Sequence, residues 1–234
     1  MGVRTVTSEY RQTTEDQIVM ALAEILQSIP VAMVCRRQEL AEIFGFETRN
    51  KYLIEDEKGA PIAFAAEQQR GILGFFFRQS LGHWRSFEIF IFGNDREIEF
   101  RARHPFRLFF QRLEVFGSDE RPIGAVARRF GILRKKFDVL SADGRLLLSV
   151  SSPFWRLWTF PFMRDGTQRA IIQKKWSGLL QEAVTDADNF RVEFSDPALN
   201  KVERILVLVA SIYIDLLYFE NKASSRANIL LERL

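Results

Sequence analysis

The segment from Val202 to Phe219 constrains this chain more than any other part of it. From Ile205 to Ile214 only Ser211 interrupts the apolar run, and a helix that is apolar on every side has to be buried, in protein or in lipid. At about 1.5 Å per residue, Ile205 to Phe219 reaches roughly 22 Å, short of the ~30 Å hydrocarbon core of a bilayer. Asp215 would cost about 2.5 to 3.5 kcal/mol at a bilayer centre, and Glu203 and Arg204 stand at the start of the segment. It reads as a helix buried in protein.

The chain ahead of this helix supplies something to bury it in. Thr14 can cap a helix from about Glu15 to Ile29, because Ile18, Leu22, Ile25, Leu26 and Ile29 share one face, and Pro30 ends it. From there to Ser195 the apolar period changes to two. Candidate strands fall at 31–36, 46–55, 61–67, 86–92, 97–103, 109–116, 123–129, 136–141, 145–151, 158–163, 169–175 and 190–195. Tight-turn chemistry links several of them: Asp56-Glu57-Lys58-Gly59, Gly93-Asn94-Asp95, Ser118-Asp119-Glu120-Arg121, Ala142-Asp143-Gly144 and Asp165-Gly166. Neighbouring strands should therefore pair antiparallel. An eight-stranded barrel holds only side chains or one small ligand, whereas a helix about 10 to 12 Å across needs roughly eleven or twelve strands around it. The expectation is a mainly β, closed antiparallel barrel of about twelve strands, with Leu199 to Asn221 threaded through its centre. The corresponding organisation is an N-terminal segment at 1–30, a barrel domain at 31–222 and a tail at 223–234.

Composition fits a large core, with 47% hydrophobic residues in 234 and 22 phenylalanines, most of them expected to line it. The net charge of +3 is small, so local charge decides any preference for anionic partners. Cys35 is the single cysteine and excludes an internal disulfide. Met1 to Gln17 lacks the apolar core of a signal peptide, which points to a cytoplasmic protein able to sit peripherally at the inner face of a membrane. Hydrolase, phosphate-loop and zincin motifs are missing from the sequence, and only His83 and His104 could act as imidazole bases. Covalent catalysis is not expected, and Cys35 reads as a small core residue rather than a nucleophile.

Seven separated motifs, in order and with matching spacing, resemble the phospholipid scramblase family. They are Phe44 to Tyr52 (FGFETRNKY), Phe64 to Glu67 (FAAE), Pro122-Ile123-Gly124, Trp176 to Leu179 (WSGL), Glu182-Ala183, Thr185 to Phe190 (TDADNF), and Ile214-Asp215 with Phe219-Glu220. The resemblance implies a tubby-like barrel around a C-terminal helix, and lipid scrambling, in some form Ca²⁺-dependent, as the activity. It also implies a calcium-binding segment beginning at Asp186, for which Asp186, Asp188, Glu193 and Asp196 offer hard oxygen ligands. The spacing departs from an EF-hand, with Arg191 where the loop needs glycine and Pro197 where it needs a bidentate acid. Phe190, Val192 and Phe194 alternate instead like a half-buried strand. The palmitoylated cysteine clusters of eukaryotic members have no counterpart, and bulky aromatic runs stand in their places.

In an up-and-down barrel, alternate connections share one end. The loops at 68–85, 104–108, 130–135 and 152–157, with their flanks, thus bring together Phe75, Phe76, Phe77, Arg78, Arg107, Arg128, Arg129, Arg134, Lys135, Lys136, Trp155, Arg156 and Trp158. Aromatic rings among cations suit the surface of an anionic bilayer, where each cation contributes about 1 kcal/mol. The expected partner is an anionic phospholipid membrane. A soluble interaction or nucleic-acid-associated regulator is the alternative, and self-association is open to either. Calcium is the one candidate ion. Asp215, buried on the helix, needs a hydrogen-bonding or cationic partner from the wall.

Overall fold

The computed structural model describes residues 21–37, 48–68, 86–106, 111–156, 158–175 and 189–218. They form helix α1 (Ala21–Ser28), twelve strands, and helix α2 (Lys201–Tyr218). The strands are β1 (Val31–Arg36), β2 (Thr48–Asp56), β3 (Pro61–Gln68), β4 (Phe87–Phe92), β5 (Ile98–His104), β6 (Arg112–Gly117), β7 (Pro122–Arg129), β8 (Arg134–Ser141), β9 (Leu146–Pro153), β10 (Thr159–Arg164), β11 (Thr167–Lys175) and β12 (Asn189–Glu193). Each pairs antiparallel with its neighbours in sequence, and β1 also pairs with β12, Val31 opposite Glu193, so the sheet closes. Where both are described, predicted and observed strand boundaries agree to within two residues. The predicted helix at Glu15 to Ile29 is seen as Ala21–Ser28; its earlier turns lie outside the described residues.

Turn chemistry explains the narrow connections at one end of the barrel. The Asp56 carboxylate accepts the amides of Lys58 (2.9 Å) and Ala60 (2.8 Å), and Gly59 adopts a φ of +82° that a side chain would resist. Asp119 accepts the amide of Arg121 at 3.0 Å in the β6–β7 turn.

Helix α2 enters at this same end. Asn200 accepts the amide of Glu203 and Glu203 accepts the amide of Asn200, each at 3.0 Å, a reciprocal cap that fixes the first turn. Every residue from Glu203 to Leu217 is buried. Around it, alternate residues of each strand form one apolar lining, among them Val34, Ile54, Ala65, Ile89, Ala102, Leu113, Val126, Val139, Val150, Phe160, Ile172 and Phe190. Burying each large apolar side chain stabilises by about 1.5 to 3 kcal/mol, so the helix and the wall hold each other. The predicted span Leu199 to Asn221 begins two residues early, and Phe219 to Asn221 lie outside the described residues. No helix among the described residues is long and apolar enough to cross a membrane, which says nothing of strands.

Candidate functional site at the barrel mouth

The strands are polar where they approach the end at which α2 finishes. One inward position beyond the apolar lining stand Arg36 on β1, Asn50 on β2, Glu67 on β3, His104 on β5, Arg128 on β7, Lys135 on β8, Ser152 on β9 and Lys174 on β11. Gln111 and Trp158 take the same position just ahead of β6 and β10. Each is two residues from a core side chain, so the pleat aims it inward. A polar layer thus caps the apolar column.

Its members are tied together. Arg36 donates to the Asn50 side-chain oxygen, and the Asn50 amide donates to Glu67. Below them the Tyr52 hydroxyl donates to Asp215 at 2.8 Å, with the Arg36 guanidinium 3.7 Å from the same carboxylate. Across the mouth, Arg128 donates to the Gln111 side chain at 3.3 Å. Arg128 and Lys135 stand over the Tyr218 ring, Lys135 also over Phe160, and Lys174 over Trp158. His104 is buried and stacks on Phe87 with ring centroids 4.6 Å apart, the setting of a core imidazole. Burial, reinforced by Glu55, pushes the Cys35 thiol up to about 11, so it stays protonated and lacks thiolate reactivity.

Outside this layer, two adjacent loops carry an exposed apolar patch. Phe130 (82% exposed), Ile132 (83%) and Leu133 (63%) follow β7; Phe154 (51%) and Trp155 (65%) follow β9. The Phe154 amide donates to the Leu133 carbonyl at 3.1 Å, which holds the loops side by side. Arg129, Arg134 and Arg156 are exposed beside them.

The predicted rim residues therefore divide. Arg129, Arg134, Lys136, Trp155 and Arg156 belong to the outer surface or loops, whereas Arg128, Lys135 and Trp158 turn inward and are half-buried. Phe75, Phe76, Phe77, Arg78, Arg107 and His83 lie outside the described residues. So do Asp186 and Asp188. Of the other two predicted calcium ligands, Glu193 is the last residue of β12, at the end away from the mouth, and Asp196 lies beyond it. Glu193 pairs with Arg191, and Asp196 accepts from Arg169 at 2.6 Å and from the Ala198 amide at 2.9 Å. Both acids thus have partners of their own. Among the described residues no group of three or more His, Cys, Asp or Glu could hold a metal ion.

The Scramblase family model matches residues 12–221, which take in all twelve strands and the central helix. The chain belongs to the scramblase family. It is 27% identical to human phospholipid scramblase 2 over 212 residues, 84% of this chain and 70% of that protein. To human phospholipid scramblase 1 it is 27% identical over 216 residues, covering 86% and 66% of the two chains. It therefore spans about two thirds of the length of these relatives. A solved structure of an Arabidopsis thaliana protein, 15% identical, aligns over 80% of this chain and 90% of its own with a TM-score of 0.44.

In this scramblase-family barrel, sequence reasoning missed Phe130, Ile132 and Leu133 in a loop it singled out for its cations. The signal was available: an apolar tetrapeptide with one glycine stands between Arg128-Arg129 and Arg134-Lys135-Lys136. Arg36 and Lys174 were missed for another reason, since nothing local marks a strand-end cation as facing inward.

Proposed function

We propose that this chain is a peripheral membrane protein that binds anionic phospholipid surfaces through the two loops after β7 and β9. The supporting observation is the exposed patch of Phe130, Ile132, Leu133, Phe154 and Trp155 with arginines at its border. Large apolar groups rimmed by cations match the interfacial region of a bilayer, rings among the acyl ends of the headgroups and guanidinium groups on the phosphates. Membership of the family supports a scramblase-related function, and lipid binding is its first step. Duplex nucleic acid would engage the arginines but offers little to five exposed apolar side chains.

Flotation with phosphatidylserine-containing vesicles tests this reading. The protein is expected to float with them at low salt, to release as salt rises, and to ignore pure phosphatidylcholine. Phe154 and Trp155 are each worth about 1.5 to 3 kcal/mol if fully buried in the interface, so their joint replacement by alanine is expected to weaken binding about tenfold or more. No flotation at low salt, or flotation that the double variant keeps, would sink the proposal. Calcium enters this reading through Asp186 and Asp188, because Glu193 and Asp196 are engaged elsewhere. Calorimetric titration with CaCl₂, with Asp186→Ala as control, reads out that contribution.

A further inference from the structure

Unpaired charge is divided between the two ends of the barrel. At the end of the tight turns, Arg121, Arg145, Arg164, Arg169, Arg191 and Lys201 each have a carboxylate partner. Asp95, Glu97 and Asp165 are exposed there and make no ion pair among the described residues. At the mouth end the balance reverses along part of the ring. Arg103, Arg112 and Arg129, on β5 to β7, are paired with Glu88, Glu114 and Asp138. From β8 round to β2, Arg134, Lys136, Arg156, Lys175, Arg37 and Lys51 make no ion pair among the described residues.

Three of these cations form a group apart from the apolar loops. Arg36 and Lys174 take inward positions, so the pleat turns the next residues, Arg37 and Lys175, to the outer face, and Lys51 stands there too between the buried Asn50 and Tyr52. The Arg37 amide donates to the Lys51 carbonyl at 2.9 Å. Lys175 is opposite Asn189 on β12, itself opposite Cys35, two residues before Arg37. Glu55, an acid on this face, is nearer the turn end, where the Cys35 thiol donates to it at 3.4 Å. In the ring β2 lies six strands from β8, so Lys51 is across the mouth from Lys136.

The apolar loops after β7 and β9 occupy one side of the mouth, and a barrel held by them alone would lean to that side. An anionic surface adds a second attraction. A strand of eight residues such as β9 spans about 26 Å, more than two Debye lengths at about 0.1 M salt. A surface at the mouth therefore attracts the cations there without meeting the acids of the turns. Side chains with no carboxylate partner gain that attraction without first giving up an ion pair.

We propose that Arg37, Lys51 and Lys175 form a second membrane contact, which meets the phosphates of an anionic bilayer beyond the apolar loops and stands the barrel with its mouth on the surface and its turns away from it. This rests on the membrane reading and adds to it a further contact and an orientation. Binding to phosphatidylserine-containing vesicles at low salt is compared for the full chain, for Lys51→Gln with Lys175→Gln, and for Lys58→Gln with Arg96→Gln. The last pair removes the same charge from exposed residues at the turn end. The mouth pair is expected to weaken binding about tenfold or more, and the turn pair less than about twofold. Lys51→Arg with Lys175→Arg keeps the charge and is expected to bind like the parent, and equal thermal midpoints show that the fold is intact. Unchanged binding in the mouth pair, or equal losses in the two pairs, overturns the contact. Orientation is read from a fluorophore on one introduced cysteine, Gln173→Cys near Lys175 or Ala142→Cys in the β8–β9 turn. Cys35 is buried and does not compete for the label. A quencher on the lipid headgroups is expected to dim the first label and spare the second; a first label left bright on bound protein overturns the upright stance. The two readings fail separately. If Phe154→Ala with Trp155→Ala keeps flotation while the lysine pair loses it, the apolar loops are refuted and this contact stands, and the opposite result keeps the loops and refutes the contact.

Discussion

Tyr52 on the barrel wall and Asp215 on the central helix are joined by a 2.8 Å hydrogen bond, and neither side chain is reached by solvent. The phenol is the donor, and burial together with the nearby carboxylate pushes its own ionisation well above the ordinary tyrosine range. Strand β2 and helix α2 are far apart in sequence, so this bond fixes the depth of the pillar against the wall. Tyr52→Phe deletes only the donor and leaves a buried carboxylate short of a partner, a change that costs about 1 to 3 kcal/mol. Urea unfolding should show that loss, and a double-mutant cycle with Asp215→Asn should show coupling of about 0.5 kcal/mol or more. Additive effects would mean the bond does not connect the two elements.

At Gly124 the wall lies close against the helix. A Cβ there would press on the Leu140 carbonyl and lie 2.7 Å from Cδ1 of Leu206. The carbonyl belongs to the β8 backbone paired with β7, so it cannot move aside cheaply. Gly124→Ala is expected to destabilise by about 1 to 3 kcal/mol through overpacking, and Gly124→Ala with Leu206→Ala should recover part of it. A neutral single substitution, measured by thermal unfolding, would show the wall to be softer than its contacts imply.

How much of this was legible beforehand follows from range. Turns such as Asp56 to Gly59 and Asp165-Gly166 carry their chemistry locally, and the two-residue period between them fixes each strand, so the barrel could be counted from the sequence. The apolar run around Val207 is equally local, and a helix without a polar face demands enclosure. The mouth layer is not local. Arg36, Arg128 and Lys174 look like solvated strand ends until closure of β1 on β12 shows which side of the pleat faces in. Glu193 and Asp196 illustrate the same limit, since nothing local announces that Glu193 takes Arg191 and Asp196 takes Arg169 as a partner.

Arg204 performs a capping role that no motif announces. Its guanidinium donates to the carbonyls of Leu26 (2.7 Å) and Ile29 (2.8 Å) at the end of α1, while its Nε reaches the Leu199 carbonyl at 3.3 Å. It also lies over the Phe194 ring, 4.7 Å from the centroid. One planar fork thus pins α1 to the start of α2. Arg204→Met removes this donor from the Leu26 and Ile29 carbonyls, while the Leu199 carbonyl keeps the Gln27 side-chain amide at 3.1 Å, and should cost about 1.5 to 3 kcal/mol. Arg204→Lys, with one point charge, should regain less than half. Full rescue by lysine in chemical denaturation would show that charge alone matters.

Glu99 gives the molecule a dependence on pH that runs against the usual direction for carboxylates. It is buried on β5, and burial, with a smaller push from Asp95, raises its pKa from 4.5 to about 7, opposed by the Leu22 amide that donates to it at 3.0 Å. The folded protein therefore holds this proton more tightly than the unfolded chain does. The stability it contributes is full below its unfolded value near 4.5 and is lost as pH rises through about 7. Inside that window the loss approaches about 1.4 kcal/mol for each tenfold fall in proton concentration. Glu99→Gln keeps an acceptor for Leu22 and cannot ionise. The difference in unfolding free energy between the variant and the parent should grow in the variant's favour from about pH 5 to pH 7 and then level off. Parallel curves for the two proteins across that range would show that Glu99 titrates like an exposed carboxylate.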